Sequence, residues 1–151
     1  MDNIKIISSN KKAGFEYQIL EKIEAGLVLV GTEVKSLREG KCSLQEGYII
    51  EENGELFVKN INISEFSKGN INNHDPLRNR KLLLKKKEIR TLAKEVKEKG
   101  ISLIPLKLYF KGSRIKIEIG LCKGKKLYDK REAIKERDEK KNLAQMLKRD
   151  F

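Results

Sequence analysis

The stretch ISLIPLKLYFKGSRIKIEIGL, residues 101–121, limits the possible folds more than any other part of the chain. Ile115, Ile117, Ile119 and Leu121 alternate strictly with polar or small residues, which is the period-2 pattern of a strand buried on one face. ISLIPLKLYF is a second β-rich run, and Lys111-Gly112-Ser113 joins the two as a hairpin turn. Pro105 cannot donate to a ladder, so the first strand must lie at an edge or carry a bulge there.

The remaining elements are read around this hairpin. FEYQIL (Phe15 to Leu20) and AGLVLVG (Ala25 to Gly31) are expected as two short strands. TEVKSLREG offers Thr32 as an N-cap, Val34 and Leu37 on one face, and Gly40 past the end, giving a short helix. In YIIEENGELFVKNINI, Asn53-Gly54 between β-rich flanks is the strongest short hairpin signal there is. Ile89, Leu92, Ala93 and Val96 fall at i, i+3, i+4 and i+7 with lysines on the other side, so an amphipathic helix ends at Gly100. The connection from Ser64 to Arg80 has no periodicity and is rich in Asn, with Gly69 and Pro76; loops this long are often functional or disordered.

The expected fold class is therefore mainly β (α+β): a small antiparallel OB-like β-barrel with about three short flanking helices and a basic C-terminal tail. The tail, from Gly124 onward, carries ten Lys or Arg against six Asp or Glu and gives a helix little to pack with. Two domains follow: a body over 1–122 and a basic tail over 123–151.

The formal net charge of +12, shared by body and tail, points to a polyanionic partner. No apolar run approaches the roughly 18 residues of a membrane span, and MDNIKIISSN lacks the pattern of a signal peptide. Cys42 and Cys122 form no metal-type spacing and read as reduced thiols of a cytoplasmic protein. His74 is the only histidine and has no nucleophile motif beside it, so it reads as a solvated or turn-stabilising residue. No glycine-rich phosphate loop and no G-x-S-x-G motif occurs. Nothing in the chain calls for an enzyme, a cofactor or a metal.

Three basic clusters are the candidate binding elements. They are Asn10-Lys11-Lys12; Arg78, Arg80 and Lys81 with Leu82–Leu84 and Lys85–Lys87; and Lys123, Lys125, Lys126, Lys130 and Arg131. Any one alone reads as a solvated face, but three on so basic a chain favour nucleic acid. Aromatic residues make up only 6% of the chain. A stacking platform for single strands is therefore thin, and a folded RNA read by shape and backbone is preferred. A general OB-fold ribosomal or nucleic-acid-binding protein is the alternative.

GTEVKSLREG, HDPLRNRKLLL, PLKLYFK and KGKKLYDKR, in this order, closely resemble the SsrA-binding protein (SmpB) family, over about Asn10 to Lys148. The resemblance implies an OB-fold binder, not an enzyme. Such a protein holds the tRNA-like domain of transfer-messenger RNA and delivers it to stalled ribosomes for trans-translation. Elongation factor EF-Tu with GTP accompanies the charged RNA, and a cytoplasmic monomer is expected.

By the same resemblance Asn10 and Glu24 grip the RNA. Glu33, Lys35 and Arg38 match the family's short-helix motif, and Lys81 to Leu84 match its KLLL segment, in which the leucines divide between core and RNA; Leu83 is carried as a binding candidate, but the sequence does not choose which leucine faces out. Lys85 and Tyr128 depart from the histidines found in relatives. The tail, disordered when free and helical on the ribosome, would enter the empty mRNA channel. Asp129, Lys130 and Arg131 would then sit near the decoding centre, with Met146, Leu147 and Lys148 farther along.

Overall fold

A computed structural model describes residues 3–68 and 72–124. Its elements run β1 (Ile4–Ser9), α1 (Lys11–Glu16), β2 (Tyr17–Leu27), α2 (Gly31–Arg38), β3 (Cys42–Ser43), β4 (Tyr48–Glu52), β5 (Glu55–Lys59), β6 (Asn62–Ile63), β7 (Arg80–Leu83), α3 (Lys86–Lys99), β8 (Ser102–Lys111) and β9 (Arg114–Gly124).

The hairpin of residues 101–121 forms as expected. β8 and β9 pair from Ser102↔Cys122 to Lys111↔Arg114, and the register slips between Pro105 and Lys107. That bulge changes which side chains face inward. Ile101 and Leu103 before it and Leu108 after it belong to the main core, whereas Ile104 and Leu106 face a second, smaller one. In the other hairpin Asn53 and Gly54 take φ of 53° and 79°. Positive φ at both positions is what a type I′ turn requires, and β4 pairs with β5 from Tyr48↔Lys59 to Glu52↔Glu55.

All pairings are antiparallel. β8, β4, β5, β7, β2 and β9 follow one another around a ring that closes where β9 returns to β8; β1 adds along β8, and β3 and β6 pair separately. This is the OB-like barrel expected, with three flanking helices among the described residues. Its interior is filled by Leu56, Val58, Ile61, Leu82, Leu108, Ile117 and Ile119, all essentially without exposed surface. Ile89 and Leu92 of α3 join this core, while Val96 lies exposed, so the apolar stripe fades before the helix ends. Among the described residues no helix is long and apolar enough to cross a membrane.

Three expectations need correction. FEYQIL and AGLVLVG are not separate strands: Phe15 and Glu16 close α1, and β2 runs unbroken to Leu27 across a bulge between Ile19 and Glu21. The physical cause is Asn10, whose Oδ1 accepts from the Ala13 amide and starts a helix. β1 was not anticipated, because its apolar Ile4 and Ile6 stay exposed along an edge and bury no stripe. α2 begins two residues early, at Gly31 after Val30, which frees the Thr32 hydroxyl for another partner.

Candidate nucleic-acid interface

The outer face of the barrel is built by register. Leu83 of β7, Gly26 of β2, Lys116 of β9, Tyr109 of β8 and Ile6 of β1 lie side by side in one row. Glu24, Glu118, Lys107 and Ser9 form the row two positions along β2. The residues between the rows, Ala25, Ile117 and Leu108, point into the core. One alternation thus produces both the barrel interior and the exposed row.

Glu24 is the centre of this face. The Tyr109 hydroxyl donates to its Oε2 at 2.5 Å, and Lys111 Nζ lies 3.3 Å from Oε1. The Tyr109 hydrogen bond holds the Glu24 carboxyl below its ordinary value, and Lys111 and Lys116 add to this against a smaller opposing effect of burial. Burial pushes the Tyr109 phenol well above its usual value, and the Glu24 bond pushes it the same way. Phenol and carboxylate thus stay protonated and ionised respectively through the neutral range, so Glu24 is a fixed acceptor among cations. Its side chain keeps 37% of its surface exposed and borders a cleft of about 470 Å³ with Lys111, Gly112, Ser113, Arg114 and Lys116. Next to it, Leu83 is 52% exposed and lies across Gly26. A Cβ on Gly26 would stand 3.1 Å from the Leu83 Cβ, so the glycine lets the leucine lie flat on the sheet.

At the end of β2 a second constellation joins α2 to β7. Glu33 is fully buried: Oε1 accepts from the Val30 amide at 2.9 Å and from Arg78 Nη2, and Oε2 accepts from Arg80 Nε. Burial alone would disfavour this carboxylate. The hydrogen bonds from Arg78, Val30 and Arg80 outweigh it and hold the group ionised below its ordinary value. Arg80, also without exposed surface, donates from Nη1 to the Ile61 carbonyl at 3.1 Å and from Nη2 to those of Asp75 and Pro76. His74 pins the same loop. Its Nε2 donates to the Ile63 carbonyl at 2.7 Å, which leaves Nδ1 to accept from the Thr32 hydroxyl at 2.9 Å. The ring is buried, so it is a structural tie and not a solvated residue.

α1 closes over the smaller core of Ala13, Ile104, Leu106 and Cys122. Asn10 is buried beside it, and its Nδ2 donates to the carbonyls of Pro105 at 3.0 Å and Leu44 at 3.4 Å. Both cysteines are free thiols, pushed up by burial, Cys42 to about 12 and Cys122 to about 11. Among the described residues no group of His, Cys, Asp and Glu is placed to hold a metal ion.

Comparison with known proteins decides what this surface belongs to. Residues 7–149 match the profile of the family described as "SmpB protein". The chain belongs to the SmpB family. An SsrA-binding protein of Magnetococcus marinus is 54% identical over 144 residues, covering 95% of this chain and 96% of the relative. One of Thermosynechococcus vestitus is 51% identical over 148 residues, 97% of each. A solved chain from the structure described as "tmRNA-SmpB: a journey to the center of the bacterial ribosome" superposes with a TM-score of 0.68 at 45% identity, covering 84% of this chain and 93% of that one.

With the family established, the residues singled out in the sequence sort by depth. Glu24 and Leu83 sit together on the open face. Lys11, Lys12, Lys35, Arg38 and Lys123 are exposed, Lys12 paired with Glu46 and Glu16 and Lys35 lying over the Phe66 ring. Lys81 is paired with Glu55, and Arg78 is partly exposed. Asn10, Glu33 and Arg80 were expected at the surface that meets RNA, and the structure buries all three. Their polar atoms are bound by Ala13, Pro105 and Leu44, and by each other and backbone carbonyls, so they are ties within the fold. Of the three KLLL leucines, Leu82 is core, Leu84 packs partly against it and only Leu83 is outward. Lys125, Lys126, Tyr128, Asp129, Lys130, Arg131, Met146, Leu147 and Lys148 lie outside the described residues. Tyr109, Lys111, Lys116 and Gly26 escaped the sequence reading. Their signal was present in PLKLYFK, in the polar positions of RIKIEIGL, and in the glycine after Glu24-Ala25.

Proposed function

We propose that this chain binds the tRNA-like domain of transfer-messenger RNA and delivers it to stalled ribosomes for trans-translation. The observation that carries the reading is the outer face of β7, β2, β9 and β8. It holds a fixed carboxylate, Glu24, beside Lys111 and Lys116 and near an exposed, flat-lying Leu83. A carboxylate can accept from base amino groups or 2′-hydroxyls, and lysines meet phosphates, so the face suits an RNA read by shape and backbone. The site residues are Glu24, Leu83, Lys35, Arg38, Arg78 and Lys81, with Lys11, Lys12 and Lys123 towards the start of β2, where Tyr17 meets Gly124.

The protein acts as a cytoplasmic, monomeric adaptor without catalytic chemistry of its own, and EF-Tu with GTP reaches it through the charged RNA. Its tail, from Lys123 onward, becomes helical in the vacated mRNA channel. There Tyr128, Asp129, Lys130 and Arg131 face the decoding centre and Met146, Leu147 and Lys148 lie downstream.

Gel-shift binding to transfer-messenger RNA against an unrelated RNA at matched salt tests the reading, with tagging of stalled ribosomes scored alongside. Selective binding is expected, and Met146→Asp with Leu147→Asp is expected to keep it while abolishing tagging. Equal affinity for both RNAs would remove the specific function.

A further inference from the structure

The cluster of Glu33, Arg78 and Arg80 contains one carboxylate and two guanidinium groups, so it carries a surplus positive charge. Arg80 has no exposed surface and places its donors on Glu33 and on three carbonyls. Only Arg78, with 33% of its side chain exposed, brings the surplus to solvent. Its Nη2 is committed to Glu33 Oε1 and the Val28 carbonyl, and its Nε is buried without a partner among the described residues. The guanidinium is therefore held at a set angle with donor capacity left over. The side chains flanking this point are apolar and exposed: Leu77, its neighbour in the chain, and Val28 and Val30, whose backbone groups bond to Arg78 and Glu33. The nearest acid in sequence, Asp75, is engaged by the Leu77 amide.

We propose that Arg78 seats one backbone phosphate of the bound RNA, and that Glu33 is the positioning residue that fixes the Arg78 guanidinium for it. The inference rests on the RNA-binding function argued above and adds what the clamp contributes to it. A phosphate oxygen is the acceptor that a planar guanidinium serves best, and the apolar rim suits the sugar that follows it. A guanidinium already held in place loses less conformational freedom on binding than one on a free side chain. That accounts for a fully buried acid in a short helix of a strongly basic protein: it meets no RNA, yet it sets a residue that does.

The test is binding of tRNA-like-domain RNA across a salt series by wild type, Arg78→Gln, Arg78→Lys, Glu33→Gln and the Glu33→Gln/Arg78→Gln double variant, all in the full chain. Arg78→Gln is expected to lower the slope of log affinity against log salt by about one unit, as for one lost phosphate contact. Arg78→Lys keeps the charge and the slope but binds less tightly, because a flexible ammonium is not held in place by Glu33 and the Val28 carbonyl as the guanidinium is. Glu33→Gln weakens binding several-fold when Arg78 is present and adds nothing when Arg78 is already Gln; a purely structural role would weaken both backgrounds alike. An unchanged slope in Arg78→Gln, with wild type still selective, overturns this inference alone. A wild type that does not prefer its RNA overturns it together with the function. Should Glu33→Gln fail to fold, the contrast between Arg78→Gln and Arg78→Lys still decides whether the phosphate seat exists.

Discussion

Glu24 and Glu33 each lie in a motif shared with the family and each meets cations, yet they do opposite work. Glu24 stands on the open barrel face with one hydroxyl and one lysine and keeps much of its surface free. Glu33 is sealed beneath the loop leading to β7 and is held by two arginines and an amide. Depth separates them, and with depth goes the cost of losing a partner. An exposed ion pair is worth only about 0–1 kcal/mol because water replaces it. A sealed pair that loses one member strands a charge away from water.

The largest effect that would break or sharpen this contrast is on folding. Arg80→Ala should lower stability by about 3–5 kcal/mol in urea unfolding, since it leaves Glu33 buried without one of its three donors. A loss under 1 kcal/mol would mean that the clamp is no more than a surface pair. Acid comes next. Glu33 is held ionised below its ordinary value, so as pH falls the unfolded chain takes up the proton first and the folded state loses ground. The stability advantage of wild type over Glu33→Gln should be flat from neutral pH down to about 4.3 and shrink below it. An advantage that grows on acidification would reverse the sign argued here. The smallest effect belongs to Glu24→Gln. Its stability should stay within about 0.5 kcal/mol of wild type, while RNA affinity falls about tenfold with the loss of a charge-assisted acceptor. Equal damage to both measurements would merge the two glutamates into one class.

How far the sequence foretold this division depends on the distance over which each signal acts. The β8–β9 hairpin, the Asn53-Gly54 turn and α3 were legible because their cues are periodic or local. α1 was not. KKAGFE is too short for periodicity, and its anchor Asn10 works through carbonyls of Leu44 and Pro105 far along the chain. On the site, Glu24 could be read from the family resemblance, whereas which of Leu82–Leu84 faces outward needed the register of β7 on β2. The burial of Arg80 could not, because a run of basic residues reads as a surface unless its partner is known. A clue did exist in α2: Glu33, Ser36 and Leu37, at i, i+3 and i+4, all face inward, so the acid occupies a position on the buried stripe.

The unevenness of the ring has a kinetic consequence. β9 is paired along nearly its whole length with both β2 and β8, whereas β4 meets β8 at the single pair Ile49↔Leu103 and β7 meets each neighbour over two pairs. Thermal breathing will therefore open the ring at these short seams and let the β4–β5 hairpin swing as a unit. The broad three-stranded ribbon, on which Glu24 and Lys116 are displayed, stays shut for longest. The half of the barrel that carries Glu24 and Lys116 is the half that fluctuates least, while Leu83 rides on the shorter seams of β7.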